Sequence, residues 1–400
     1  MMLHGEYRIL MASLLLLTIT GASLKIKISE DISDRLLWSE RMALSVMKRN
    51  PDPWLIDCKE QPKWEYTQGL VLKSIEKVGE KVGNEKYGDY IKAFADFYIS
   101  PQGDILTYTS SDFNIDRIAP GRVLYKLYQK TREEKYLKAI HKLHYQLTWQ
   151  PRTKEGGFWH KLRYPWQMWL DGLYMGSPFY AEYALVFNQQ KAFDDICTQT
   201  ILMEKNMRDS ATGLFYHGWD ECRLQRWAHP ERGTSPNFWG RAMGWYGMAL
   251  VDILDFLPPN HPQRARLVEI LQQYVSTIEK YQHPSGAWYQ VMDKADAPGN
   301  YLESSATCMF AYTIAKSVNK GYVSMSKMEI ARKAFDGIIR NFIKVGEDGE
   351  VHIDQACEVA GLGGEPYRDG SYQYYVNEKV RRNDPKAEGP FIMACLELNR

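Results

Sequence analysis

A short aromatic turn recurs along this chain about every 60 residues. Its copies are QGDILTY around Gly103, GGFWHK around Gly157, TGLFYHGW around Gly213, SGAWYQV around Gly286 and DGEVHI around Gly349. PKWEY around Trp64 is a degenerate sixth copy. Glycine permits the turn and the rings favour a short extended stretch after it. A second series follows the first: Tyr66 to Gly69, Asp116 to Gly121, Asp171 to Gly176, Arg241 to Tyr246, Glu303 to Thr307 and Asp384 to Gly389. Each precedes an apolar segment such as SPFYAEYALVF, RAMGWYGMALVDIL or SATCMFAYTIA. A helix with so little polar surface is buried on most faces. Helical periodicity also marks Gly121 to Lys130, Tyr246 to Leu257 and Arg266 to Tyr281. Charged segments such as Glu133 to Tyr145 suit an outer layer.

Buried and charged helices alternating in six units predict an all-α (α/α)6 barrel, a toroid of six helical hairpins. Its inner helices all point the same way, so their leading segments gather on one face. Asp116, Asp171, His217 and Arg241 would meet there although they are far apart in sequence. An open helical solenoid is the rival architecture, and it would spread them along a groove.

The N-terminus reads as an export signal over residues 1–23. His4 and Arg8 precede the apolar run Ile9 to Thr18, and small residues Gly21, Ala22 and Ser23 follow. The run is too short to span a bilayer, and no Cys lies near the cleavage zone for a lipid anchor. The expectation is a periplasmic protein without stable membrane insertion after signal removal, with residues 24–400 forming one catalytic domain. No linker composition interrupts them. A formal net charge of +1 argues against a nucleic-acid partner. The six Cys show no CxxC spacing, so no metal site is expected, and free buried thiols are. Trp, Tyr and Phe make up 13% of the chain. Such rings fill a core or stack on sugar faces, and composition does not choose between them.

Four stretches carry residues suited to chemistry. Asp171 sits in WQMWLDGLYMG, among rings, Met and Gly. Apolar surroundings disfavour the ionised form and would raise its pKa, as a general acid requires. A helix cap is the bland alternative and would act the other way. Asp116 holds the matching place one unit earlier. Two such carboxyls can divide into one protonated and one charged, or Asp116 can simply cap its helix or pair with Arg117. His217 and His160 occupy equivalent positions in successive aromatic turns. Arg241 opens a nearly apolar helix, so it needs either an internal carboxylate or a substrate carboxylate. Trp169, Trp239 and Trp245 could supply stacking faces.

From about Trp64 onward the chain resembles the unsaturated rhamnogalacturonyl/glucuronyl hydrolases, glycoside hydrolase family 105. WQMWLDGLYMGSPF, GLFYHGWDE, FWGRAMGWYGMAL, HPSGAWYQ and YLESSAT carry the resemblance, in that order. It implies an (α/α)6 barrel with no cofactor, acting on an unsaturated uronic-acid-terminated oligosaccharide. It also implies Asp171 as catalytic acid/base and Asp116 as the second catalytic aspartate. His160, Trp169, His217, Trp239, Arg241 and Trp245 would bind substrate. RAMGW replaces the RGNGW or RANGW of many relatives, so Met243 removes a polar group near the pit. Rival readings are a polysaccharide lyase or ordinary glycosidase on the same toroid, and a non-catalytic glycan-binding protein.

Overall fold

The computed structural model describes residues 32–58 and 60–400. The proposed signal segment lies outside them. Helix α1 (Trp38–Arg49) comes first. Five hairpins follow: α2 (Tyr66–Val82) with α3 (Glu85–Tyr98), and α4 (Leu124–Thr131) with α5 (Glu134–Trp149). Then come α6 (Leu170–Val186) with α7 (Gln190–Met207), and α8 (Gly240–Ile253) with α9 (Arg264–Lys280). The fifth is α10 (Ser304–Asn319) with α11 (Met328–Asn341). After the short α12 (Tyr372–Asn377), helix α13 (Pro385–Leu398) returns to pack on α1.

The inner helices form a closed ring. Its order is α2, the 3-10 segment Ile115–Val123 that leads into α4, then α6, α8, α10 and α13, which packs back against α2. Closure rules out the open solenoid. The ends are tied, since the Ser39 N–H donates to the Arg400 carbonyl at 3.2 Å. Burial follows the sequence logic: every residue of α8 is buried, whereas α11 buries one face.

The aromatic turns do a specific job. The N–H of the residue opening an inner helix donates to a carbonyl in the next turn around the ring. Ile115 reaches His160 at 3.2 Å, and Leu170 reaches His217 at 3.0 Å. Gly240 reaches Gln290 at 2.9 Å, and Ser304 reaches Gln355 at 3.0 Å. Each bond satisfies a helix-end donor that would otherwise lack a partner. A short antiparallel pair, β1 (Gln167–Trp169) and β2 (Gly218–Asp220), adds to the staple between the Asp171 and His217 segments. In the second copy the left-handed turn residue is Gly156, at φ +97°, rather than Gly157. At Gly286, with φ +99°, an added Cβ would lie 2.1 Å from the Lys333 carbonyl oxygen.

The inner helices are less uniformly apolar than their sequences suggest. Asp252 on α8 accepts from Arg122 at 2.8 Å, and from Lys316 and Tyr312 of α10 at 2.6 Å each. All three charged groups are buried. Burial alone would raise the Asp252 carboxyl, but Lys316 and Arg122 hold it far below the ordinary carboxylate value. Among the described residues all six Cys are free; four are buried and Cys58 and Cys222 are partly exposed. No helix among them is long and apolar enough to cross a membrane.

Candidate active site

Asp171 is the second residue of α6, and its side chain does not cap the helix: Trp169 is the N-cap, without a side-chain bond. The carboxyl is 14% exposed, and Oδ2 lies 3.2 Å from Nε2 of His217, whose side chain is fully buried. The two atoms are out of line for a hydrogen bond, so among the described residues each is a buried polar atom lacking a partner. On its other side His217 Nδ1 is 2.8 Å from the Tyr375 hydroxyl.

Asp116 sits at the equivalent position of the preceding inner helix and is likewise not the cap. Asn114 is, with its side chain accepting the Asp116 N–H. Asp116 Oδ1 is 3.3 Å from His160 Nε2, and Oδ2 is 2.5 Å from Lys161 Nζ. Arg117 is engaged elsewhere, with Glu65 at 3.2 Å and the Trp64 carbonyl. Burial would raise the Asp116 carboxyl; Lys161, then His160 and Arg117, outweigh it and keep Asp116 below the ordinary carboxylate value. The site therefore holds two aspartate–histidine pairs in matching geometry, and a lysine keeps one of the carboxylates charged.

Burial pushes His160 down to about 4, against the opposite pull of Asp116. The fold thus favours the neutral ring. That contribution is fully present above pH 6.5, the ordinary value, and is lost as the pH falls from 6.5 through 4. At pH 5 the loss is about 2 kcal/mol. Urea unfolding of the parent and of His160→Gln at pH 7 and pH 5 checks this. The drop between the two pH values should be smaller in the variant by about that amount.

Trp169 is a wall of the site with both faces covered. His160 stacks on it at 4.5 Å and Tyr164 at 4.9 Å, while His217 meets it edge-on at 5.4 Å. Trp239 leans on His217 at 4.7 Å and donates Nε1–H to Gln290. Both are buried, as is Trp245, which packs on Tyr174 and Tyr66. The aromatic excess is therefore largely core, including these three indoles.

Arg241 is 1% exposed. It donates to Ser305 Oγ at 2.8 Å and to the Cys357 carbonyl, and lies 3.5 Å from Glu303. Of the two readings of its sequence position, this is the internal-carboxylate one. It touches the site through Trp239, whose ring its guanidinium overlies at 5.3 Å. The structure thus joins Asp116, His160, Trp169, His217, Asp171 and Trp239 by direct contact, with Arg241 against Trp239, while Trp245 packs on Tyr66 and Tyr174 instead. Met243 is wholly buried in the core.

Several residues near the site were not expected from the sequence. Lys161 follows a candidate histidine directly, yet its pairing with Asp116 depends on a tertiary contact. Tyr375 comes from a C-terminal segment 158 residues from His217, and no local pattern marks it as a neighbour. A cavity of about 780 Å³ lies beyond Tyr164, lined also by Arg163, Gln167, Gln225, Tyr367 and Arg368. Tyr164 thus separates Trp169 from this cavity.

Comparison with known proteins bears on family and fold. The profile of Glycosyl Hydrolase Family 88 matches residues 38–400. A solved glycoside hydrolase of family 105 from C. acetobutylicum is 43% identical; the match covers 91% of this chain and 99% of that one, with a TM-score of 0.87. The unsaturated rhamnogalacturonyl hydrolase YesR of Bacillus subtilis is 26% identical over 316 residues, 78% of this chain and 84% of that protein. The unsaturated glucuronyl hydrolase of Bacillus sp. GL1 is 12% identical and shares the fold, with a TM-score of 0.66 over 90% of this chain and 95% of that one. The chain belongs to the glycosyl hydrolases of families 88 and 105, and it is a glycosidase.

Proposed function

We propose that this protein releases a 4,5-unsaturated uronic acid from the non-reducing end of lyase-generated oligosaccharides, with Asp171 as the proton donor. One observation carries the assignment of roles. A carboxyl free of capping faces His217, one repeat away from a second carboxylate that Lys161 holds charged. Two carboxyls in unlike surroundings are the usual basis of acid and base roles. Family membership and the substrates named for YesR and the Bacillus sp. GL1 enzyme support the substrate class.

In this reading Asp171 gives its proton to C4 of the enol ether, and the resulting carboxylate takes a proton back from the water that adds at C5. The resulting hemiketal opens, and the neighbouring sugar leaves. Asp116 stays ionised throughout and accepts a hydrogen bond from substrate or from the attacking water. Arg241, engaged with Glu303 and Ser305, keeps Trp239 against His217. The test is a set of lyase-generated unsaturated disaccharides followed by ultraviolet absorbance. The conjugated alkene signal should fall as saturated products appear. A rise on intact polymer would indicate a lyase, and binding without turnover a binding protein.

Export to the periplasm is proposed from the apolar run at 9–18. Cell fractionation with N-terminal sequencing of the mature chain tests it.

A further inference from the structure

We infer that Tyr375 fixes His217 in the tautomer with its proton on Nε2, so that His217 donates toward Asp171. For its catalytic consequence this rests on the reading of Asp171 as proton donor. The Tyr375 hydroxyl is buried, and among the described residues its hydrogen-bond partner is His217 Nδ1, at 2.8 Å. Burial first, then Tyr374 and Asp171, keep the phenol far above its ordinary value, so it retains its proton. A buried O–H left without an acceptor is costly, and Nδ1 is the acceptor within reach. An Nδ1 that accepts carries no hydrogen, which places the proton of the neutral ring on Nε2. Nε2 is the atom 3.2 Å from Asp171 Oδ2.

Tyr375 is itself firmly held. Its carbonyl accepts from Gln290 Nε2 at 3.0 Å, and its ring stacks on Trp239 at 5.9 Å. The other pair lacks this device: among the described residues His160 Nδ1 has no partner. Only the imidazole facing Asp171 is locked through its far nitrogen. When Asp171 gives up its proton, the new carboxylate meets an N–H 3.2 Å away, and a small turn of either side chain brings the two into line as charge develops. Tyr375 is thus a positioning residue acting through His217.

Long-range proton–nitrogen correlation on protein labelled with ¹⁵N-histidine reads the tautomer directly in the parent. The expected result is a His217 ring protonated at Nε2 and bare at Nδ1. A ring protonated at Nδ1 overturns the inference, and needs no variant to be seen. Tyr375→Phe should give mixed tautomers and lower kcat about tenfold with KM nearly unchanged. An unchanged tautomer with unchanged kcat also overturns it. Should Asp171→Asn keep near-full turnover, the proton-donor reading falls while the tautomer result stands.

Discussion

Asp171→Asn folds like the parent and loses turnover by at least ~10²–10⁴-fold, the usual cost of removing a general acid. Asparagine keeps the shape of the side chain and cannot deliver a proton to C4. The fold should tolerate it because Asp171 is not the N-cap of α6 and, among the described residues, its Oδ2 accepts no aligned hydrogen bond. The expected stability change is under about 1 kcal/mol. Decay of the alkene absorbance gives the rate, and urea unfolding gives the stability. KM should change little, since the lost interaction belongs to the transition state. A variant with near-parental kcat would remove Asp171 from the reaction. A variant that unfolds would assign it a structural duty instead.

Asp252→Asn should show the converse pattern, with large loss of stability and intact chemistry. Its carboxylate receives Arg122, Lys316 and Tyr312 in the buried interior. Removing the anion leaves two buried cations under-compensated, which typically costs about 3–5 kcal/mol. Lys316 retains Asp255 at 2.6 Å, which favours the lower end of that range. Asp252 lies about 16 Å along α8 from Arg241, so activity per folded molecule should hold. Urea midpoints and active-site-normalised kcat check both halves. Replacing Arg122 and Lys316 by Met together with Asp252→Leu should recover much of the loss, since the penalty comes from unpaired charge.

The sequence reveals the ring because burial and turn chemistry are local signals that repeat. Gly103, Gly213, Gly286 and Gly349 adopt the left-handed backbone expected of turn glycines. The equivalence of His160 with His217, and of Asp116 with Asp171, also follows from the repeat, and the Ile115–His160 and Leu170–His217 bonds give it a geometric basis. What stays hidden is pairing between distant residues. Nothing around Asp252 names Arg122, 130 residues earlier, as its partner. Tyr375 and His217 are 158 positions apart and belong to segments without shared pattern. Arg241 was ambiguous for the same reason: its local context calls for a counter-charge but cannot say whether Glu303 or a ligand supplies it. Element edges shift too. The second inner helix begins as the 3-10 stretch Ile115–Val123, with Pro120 inside it.

Helix α13, the element that closes the circle between α2 and α10, is synthesised after the other five inner segments. Until it docks, a nascent chain carries two raw apolar edges, so assembly waits on contacts of maximal sequence separation and proceeds slowly. The same gap accepts an identical helix from another copy, making exchange of α13 between chains the natural misassembly at high concentration.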